Sequence, residues 1–375
     1  MQRISGSHGT LFVGEPRDAA AVGRVHVYTL EGANGWSPAG SFSVSGVDKF
    51  HAFAKSVAVQ GETLAVGAPD FGSGPFYRPG AVYIIDEPRM ASSWATPQQL
   101  LPSDVIDSDV SGQSDTALFG ASLAFSGDTL VIGAPSRSLG ESGSGAVYVF
   151  ERDGGGSWTE QQIIQSPDPV FSGGFGFDVA IDGDRMIVGS NPTAQGSSAY
   201  SFMRQSSGVW SEEQSFLGND YRPSGQSTNA SDFAFSVALE GDAMVLGNLG
   251  LDDNLMNGGM AHVFGRSGAT WVEDYRFSAW NAESNGSIGS SVAMTAEVIL
   301  VGSPGSRAGT KPGGVYVLQR SGAQWNARAQ LLHSDDVSNG TMGNDIAITT
   351  THAAVAAVAP FPGGVPAVYV FEREE

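Results

Sequence analysis

One cassette recurs along the whole chain, and this repetition limits the folds that the chain can adopt. Its clearest copy is FGASLAFSGDTLVIGAP, residues 119–135, in which a Phe-Gly pair opens an alternating apolar run. A Gly-Asp turn and a second apolar run ending in Gly-Ala-Pro follow, and then come GAVYVF at 145–150 and the lone Trp158. A fixed internal repeat of this kind indicates one supersecondary unit that is stacked several times.

Each copy contains four short segments with strand character. Segment A (122–125) alternates apolar and polar residues, and segment B (130–132) is a continuous apolar run, which is typical of a strand buried on both faces. Segment C (145–150) alternates again, and segment D begins at Trp158 and is more polar. Polarity that rises from B to D predicts a sheet whose outermost strand faces water.

The turns of the cassette have a physical explanation. Gly127-Asp128 separates segments A and B, and Gly supplies the positive φ that a two-residue hairpin needs. We interpret the glycine of Gly-Ala-Pro, Gly133, as permitting a bend at the end of segment B. Pro135 cannot continue a ladder of hydrogen bonds.

Seven copies of a four-stranded unit predict an all-β fold, a seven-bladed β-propeller that forms a single domain over residues 1–375. A two-sheet β-solenoid would need shorter and more uniform repeats. The seventh copy ends after segment C, so we expect three strands in the last blade, or four if a segment preceding this chain supplies one. The predicted blades are approximately 1–44, 45–102, 103–166, 167–218, 219–279, 280–333 and 334–375.

Composition excludes several classes of function. The net charge of −20 repels phosphate backbones and anionic membranes, so we expect no nucleic acid among the partners. Without cysteine there is no disulfide and no thiolate zinc site. No apolar run approaches the roughly 18 residues of a membrane span, and the first residues show no signal-peptide core. We expect a monomer that is extracellular or on a cell surface, with its signal peptide not present in this chain.

Phe119-Gly120, Gly133-Ala134-Pro135 and GAVYVF at this spacing resemble the FG-GAP repeat family, the propeller repeats of integrin α-subunit heads and of many bacterial surface proteins. The resemblance implies the propeller fold. In that family several A–B loops hold calcium with converging aspartates, and calcium needs six to eight oxygen ligands. The equivalent loops here, such as FSGDT and IDGDR, are short and carry at most two acidic residues. We therefore predict no cofactor, and the chain is similar to a bacterial, calcium-free form of the repeat.

The D–A and B–C connections of a propeller share one face, and here they are long and variable, so we expect function there. The D–A loops are acidic. They form either a solvated rim or a cation site in the segment 103–115, where the candidate metal ligands are Asp104, Asp107 and Asp109.

The B–C loops carry cations, among them Arg78, Arg137 and Arg307. They predict either contacts to an anionic sugar or carboxylate, or salt pairs with neighbouring acids. Aromatic and Arg residues placed together in loops have the composition of binding hot spots, although they can also fill the channel or fold back on the rim. The ligand-binding candidates of this kind are Phe76, Tyr77, Arg78, Tyr221, Arg222, Trp280 and Phe361.

No catalytic motif is evident. A His–Tyr pair can act as base and acid in a polysaccharide lyase, and His51 with Tyr77 is the pair to consider. His26 and His262 lie at equivalent places in segment C, which indicates a structural role, and the regularly spaced tryptophans indicate packing between blades. We predict a non-enzymatic module that binds a glycan or a protein on the D–A/B–C face. The alternatives are a lyase or hydrolase on acidic glycans and a passive scaffold segment of a larger surface protein.

Overall fold

The computed structural model contains two compact units, Met1–Val179 and Ala180–Glu375. Among the described residues, no helix has both the length and the apolar character of a membrane span. The structure describes residues 3–7, 9–16, 22–32, 35–48, 50–72, 78–89, 94, 97–104, 116–139, 141–190, 197–218, 232–249, 258–279, 286–305, 313–332, 341–358 and 367–373.

The first unit contains three antiparallel sheets, each made of four consecutive strands in chain order. The strands of the first sheet are β1 (Arg3–Ser7), β2 (Thr10–Glu15), β3 (Arg24–Leu30) and β4 (Trp36–Phe42). The second sheet has β5 (Ser56–Gln60), β6 (Thr63–Ala68), β7 (Ala81–Asp86) and β8 (Gln98–Leu100), and the third has β9 (Ser122–Ser126), β10 (Thr129–Ala134), β11 (Ala146–Arg152) and β12 (Trp158–Gln165).

The second unit contains four further sheets. Only Asp178 and Val179, the first two residues of the fourth sheet, belong to the first unit. The fourth sheet has β13 (Asp178–Asp182), β14 (Arg185–Gly189), β15 (Ser198–Arg204) and β16 (Trp210–Leu217). The fifth has β17 (Phe233–Glu240), β18 (Ala243–Asn248), β19 (Met260–Ser267) and β20 (Thr270–Phe277). The sixth has β21 (Val292–Met294), β22 (Val298–Ser303), β23 (Gly314–Ser321) and β24 (Gln324–Leu331), and the last has β25 (Thr341–Ile348), β26 (His352–Val358) and β27 (Ala367–Glu372).

The fold is a seven-bladed β-propeller, as the repeat predicted, and each sheet is one blade with its strands in chain order, A to D in the first six and A to C in the last. The prediction of a three-stranded last blade is also confirmed for the described residues, in which β25, β26 and β27 form that sheet.

The hairpin between strands A and B has the predicted conformation. Ser126 pairs with Thr129 across the two residues Gly127-Asp128, and Gly127 has a φ of 57°. Positive φ at the first central residue is the conformation of a type II′ turn, which matches the twist of the flanking strands. Every residue of β10 is buried, whereas β12 alternates buried and exposed side chains, as the polarity gradient predicted.

In the second blade, strand D does not begin at its tryptophan. β12 and β16 start at Trp158 and Trp210, but β8 starts at Gln98, four positions after Trp94. Pro97 directly precedes β8, and proline has no N–H to donate to the neighbouring strand. The prediction that segment D begins at the tryptophan is therefore wrong for this blade.

The glycine of Gly-Ala-Pro allows two adjacent blades to pack closely, in a contact called the blade joint here, and it does not form a bend. Gly133 remains within the ladder of β10 and lies against the carbonyl oxygen of Gly176, from the Phe-Gly pair of the next blade. A Cβ at Gly133 would lie 2.1 Å from that oxygen and 2.1 Å from Ser122 Oγ. Ser122 Oγ donates to the same oxygen at 2.9 Å, so the carbonyl is satisfied inside the joint.

The same joint recurs in other blades. The hydroxyl groups of Ser56, Ser236 and Ser291 donate to the carbonyl oxygens of Gly120, Gly289 and Gly343 at 2.6, 2.8 and 2.8 Å. The first residue of each Phe-Gly pair is fully buried in the core between blades, as Phe119 is. The second residue has positive φ, which Gly176 adopts readily at 87°. Ala234 replaces glycine there and adopts the same left-handed region at 56°.

The predicted packing of tryptophans between blades is confirmed for four of them. Trp94 stacks on Phe42 of the preceding blade, with ring centroids 4.9 Å apart. Trp158 packs in one core with Ile84 of the preceding blade, and Trp271 packs in another with Ile187 of its preceding blade. Trp325 lies in the core that contains β18 and β19 residues.

His262 in strand C has the structural role predicted for it. The ring is fully buried, and its Nδ1 lies 2.7 Å from Glu273 Oε1, while Arg276 holds the other Glu273 oxygen at 2.8 Å. Burial lowers the pKa of His262 below 6.5, against the opposing pull of Glu273. Burial would raise the pKa of Glu273, but the hydrogen bonds from His262 and Arg276 outweigh it and bring this pKa to about 2. The pair is therefore a neutral imidazole donating to a carboxylate.

Gly133→Ala tests the joint. We expect a loss of about 1–3 kcal/mol in the free energy of unfolding, because the new Cβ overlaps a backbone carbonyl that cannot move without the next blade. Gly154→Ala is the matched control, since nothing lies within 4 Å of a Cβ there. Urea unfolding of both variants measures the difference, and equal stabilities would contradict the close approach.

Acidification tests the His262–Glu273 pair. Both folded pKa values lie below their ordinary values of 6.5 and 4.5, so the unfolded chain takes up protons first. The stabilisation is complete above pH 6.5 and is lost as the pH falls through the folded values. His262→Tyr removes the imidazole and introduces the residue that stands at this strand position in Tyr148. Between pH 7.5 and 5, we expect the melting temperature of this variant to fall less than that of the wild type. Equal falls in the two proteins would refute the pairing of a neutral His262 with an ionised Glu273.

Candidate ligand-binding loops

The predicted binding face is formed by the D–A and B–C loops, and in the first unit these loops hold each other by hydrogen bonds. Asp70 N donates to the His51 carbonyl oxygen, which connects the second blade's B–C loop to the D–A loop before it. Ser172 N donates to the Ser142 carbonyl oxygen at 2.8 Å. The loops at this end therefore form a connected surface within the unit.

His51 is bound at both ring nitrogens. Asp48 N donates to Nδ1 at 3.1 Å, so Nε2 carries the proton and donates to the Gly72 carbonyl oxygen at 3.2 Å. The ring lies 4.8 Å from that of Phe71, and its side chain is 12% exposed. This arrangement fixes the imidazole as part of the loop. The proposed acid partner Tyr77 lies outside the described residues.

Arg137 and Asp104 form a buried ion pair. Arg137 is 2% exposed, and its Nη2 lies 2.9 Å from Asp104 Oδ2. Its Nε donates to the same oxygen at 3.1 Å, and Nη2 also donates to the Asp104 carbonyl oxygen. Tyr148 donates its hydroxyl to Asp104 Oδ1 at 2.8 Å. Burial first, and then the adjacent Asp104 carboxylate, raises the pKa of Tyr148, so the phenol stays protonated and keeps donating.

This position differs from the surface ligand contact predicted for Arg137. The guanidinium connects the D–A loop to the B–C loop of the third blade, because Asp104 and Arg137 belong to those two loops. Both oxygens of Asp104 accept hydrogen bonds, Oδ2 from Arg137 and Oδ1 from Tyr148. In the part of the chain that the structure describes, no group of three or more His, Asp or Glu side chains is arranged to hold a metal.

Arg78 is the exposed cation among the described candidates. Its Nη1 lies 3.8 Å from Asp70 Oδ1 in the same B–C loop, and its side chain is 36% exposed. A pair at this distance near the surface contributes little to stability. Nine other candidates fall outside the described residues and stay predictions: Phe76, Tyr77, Asp107, Asp109, Tyr221, Arg222, Trp280, Arg307 and Phe361.

Exposed apolar side chains at this end were missed by the sequence reasoning. Phe171 is 70% exposed, Phe50 60% and Leu101 45%. Phe50 N donates to Asp48 Oδ1 at 2.7 Å, which fixes the turn before His51. The sequence signal was present, because Phe50 and Phe171 are large aromatic residues in polar stretches between segment D and the next cassette.

A second feature of the first unit lies at the opposite end of the strands. A cavity of about 810 Å³, named the hairpin cavity here, opens between the second and third blades. Its lining includes Thr63, Asp86, Asp128, Arg152 and Trp158, near the A–B hairpins. The sequence reasoning dismissed these hairpins because they lack calcium loops, so it did not consider a site formed between two of them.

A family model described as the FG-GAP repeat matches residues 94–150 and 158–202. These segments are FG-GAP repeats. Each matched FG-GAP segment begins at a regularly spaced tryptophan, Trp94 or Trp158, and ends in strand C of the next blade. Each segment therefore contains a Phe-Gly pair that packs on the preceding blade and a glycine of strand B, Gly133 or Gly189, that lies against the following one. The first segment also supplies the serine of the joint, Ser122, whereas Asp178 stands at that position in the second.

This chain is similar in structure to the periplasmic gluconolactonase PpgL of Pseudomonas aeruginosa, with a TM-score of 0.52 and 13% sequence identity. The likeness covers 88% of this chain and 85% of that one, and it is a likeness of fold. A search of curated protein sequences finds no match to this chain.

Removing the carboxylate of Asp104 tests the buried pair. Asp104→Ala leaves the Arg137 charge buried without a partner, and we expect a loss of about 3 kcal/mol in the free energy of unfolding. Replacing both partners in Asp104→Leu/Arg137→Met removes the uncompensated charge and regains part of that loss. Urea unfolding measures both, and a double variant no more stable than the single one would contradict this account.

Proposed function

We propose that this protein is a non-enzymatic binding module, on a cell surface or outside the cell, which holds a protein ligand on its D–A/B–C loops. The observation that carries the proposal is the exposure of Phe50, Leu101 and Phe171 at that end of the first unit. Aromatic and aliphatic side chains that are exposed on a rigid scaffold, and are buried only when a partner binds, are typical anchors of protein interfaces.

The second unit repeats this pattern. Leu217 and Leu332, at the ends of strands β16 and β24, are 44% and 50% exposed. Both stand where strand D passes into the following D–A loop, as Leu101 does in the first unit. The leucines offer neither a hydrogen bond to a sugar hydroxyl nor an aromatic ring for the face of a sugar, so Leu101, Leu217 and Leu332 favour a protein ligand over a glycan on this face.

Binding is favoured over catalysis by the state of His51. A lyase base must have a free nitrogen within reach of the substrate proton. Both His51 nitrogens bond to backbone groups of the loops, and Asp104 is occupied by Arg137 and Tyr148. The candidate base His51 and the candidate metal ligand Asp104 thus support the loops themselves.

The test compares two sets of exposed apolar residues. Phe50→Ser/Phe171→Ser should weaken binding to a defined panel of purified extracellular proteins by at least about tenfold, as expected when hot-spot side chains are lost. The matched control is Val209→Ser, which changes an exposed apolar residue next to the C–D hairpin, 52% exposed. Surface plasmon resonance reports the affinities, and a glycan array is probed in parallel.

Equal binding by the double variant and the control would place the ligand elsewhere. Signals confined to the glycan array would refute a protein ligand. An ultraviolet-absorbing product from uronate polymers would instead establish the lyase alternative.

A further inference from the structure

In the second unit, polar side chains connect strand D of one blade, β16, to strand D of the next, β20. Gln214 in β16 forms two hydrogen bonds with the backbone of Trp271, accepting at 2.8 Å and donating at 3.1 Å. The residue before it, Glu213, accepts from Trp271 Nε1 at 3.2 Å. Arg266 lies 2.7 Å from the same carboxylate, which is nearly buried. The carboxylate of Glu213 thus satisfies both the indole and the guanidinium.

The first unit has the same pair of hydrogen bonds from a glutamine to the tryptophan backbone but lacks this carboxylate. Gln98 bonds to the backbone of Trp158 in the same way, at 3.2 and 3.1 Å. Gln98 pairs with Ile84 as Gln214 pairs with Ser201, so the two positions are equivalent. The preceding residue is Pro97, where the second unit has Glu213.

This exchange leaves an unsatisfied donor at the hairpin cavity. Trp158 lines the cavity and is only 4% exposed, and its Nε1 has no hydrogen-bond partner among the described residues. A buried polar group without a partner costs free energy, and a ligand oxygen would recover it. Arg152, the equivalent of Arg266, bonds instead to Asp86 at 3.1 Å and Thr63 at 3.3 Å.

The remaining charge of the cavity is negative. Glu62 is bound by Arg89 at 2.7 Å, and Asp86 is bound by Arg152. Glu87 and Asp128 also line the cavity, and neither forms an ion pair within the described ranges. A ligand complementary to this lining carries an oxygen acceptor for Trp158 and a cation for the two carboxylates.

We propose that the hairpin cavity binds a glycan with free amino groups, of the class of glucosamine oligomers. Trp158 Nε1 is closed off in the free protein, so the indole edge shifts on binding for a sugar hydroxyl oxygen to accept its N–H. The ammonium group faces Glu87 and Asp128. The half-buried ring of Phe125, 5.5 Å from that of Trp158, offers an apolar surface to the C–H face of the sugar. The cavity volume of about 810 Å³ lies within the usual range of small-molecule sites. This site is separate from the loop face proposed above for a protein ligand.

Isothermal titration calorimetry at pH 6 with a glucosamine tetramer tests the proposal, and its fully N-acetylated form is the uncharged control ligand. We expect the amino form to bind at least about tenfold more tightly, which corresponds to one charge-assisted contact. Trp158→Phe removes the indole donor without changing charge, and Glu87→Gln/Asp128→Asn removes the anions. Each should lower the affinity about tenfold or more.

Pro97→Glu is the sharpest variant, because it restores the arrangement of Glu213. Its carboxylate should bind Trp158 and Arg152, occupy the site and abolish binding, with a melting temperature no lower than that of the wild type. If the added carboxylate merely attracted the cation, affinity would rise, and that result would overturn the proposal. Equal binding of the two tetramers, unchanged affinity in Trp158→Phe, or no binding at millimolar concentration would overturn it too. Pro97→Glu leaves the loop face unaltered, so failure here and failure of the protein-ligand proposal are distinguishable.

Discussion

The close approach of two backbones at the blade joints within each unit is the constraint on which the rest of the structure depends. The carbonyl oxygen of Gly176 reaches into the third blade as far as the Cα of Gly133, and the hydroxyl of Ser122 satisfies it there. No side chain fits between these groups, and the buried carbonyl would be costly without its donor. The joint thus fixes the spacing of adjacent sheets with small residues and leaves the loops at the strand ends outside it.

The features that depend on local conformation and burial could be predicted from the sequence. Alternation and continuous apolar runs gave the strands, positive φ at Gly127 gave the hairpin, and the number of cassettes gave the number of blades. The role of Gly133 could not be predicted in this way, because the atom that excludes a side chain belongs to another blade. The start of β8 was misplaced because the tryptophan position was weighed more heavily than Pro97, which cannot donate to a ladder.

The candidate site was less predictable because charges and aromatics acquire their roles from the topology. Arg137 and Asp104 are far apart in sequence and read as surface groups, yet the D–A and B–C loops bring them together as a buried pair. Phe50 and Phe171 were visible in polar stretches but were passed over. The contrast between Pro97 and Glu213 has meaning only once the strand register shows that the two positions are equivalent.

The composition of the joint also bears on how such chains diversify. Each matched segment carries, from its tryptophan to strand C, one half that packs on the blade before and one half that receives the blade after. Recombination between copies of the gene segment would therefore join a half that receives the next blade to a half that packs on the blade before it. Exchange between copies that share the glycine and serine of the joint would preserve that contact, while substitutions such as proline for glutamate at one joint give individual copies properties of their own.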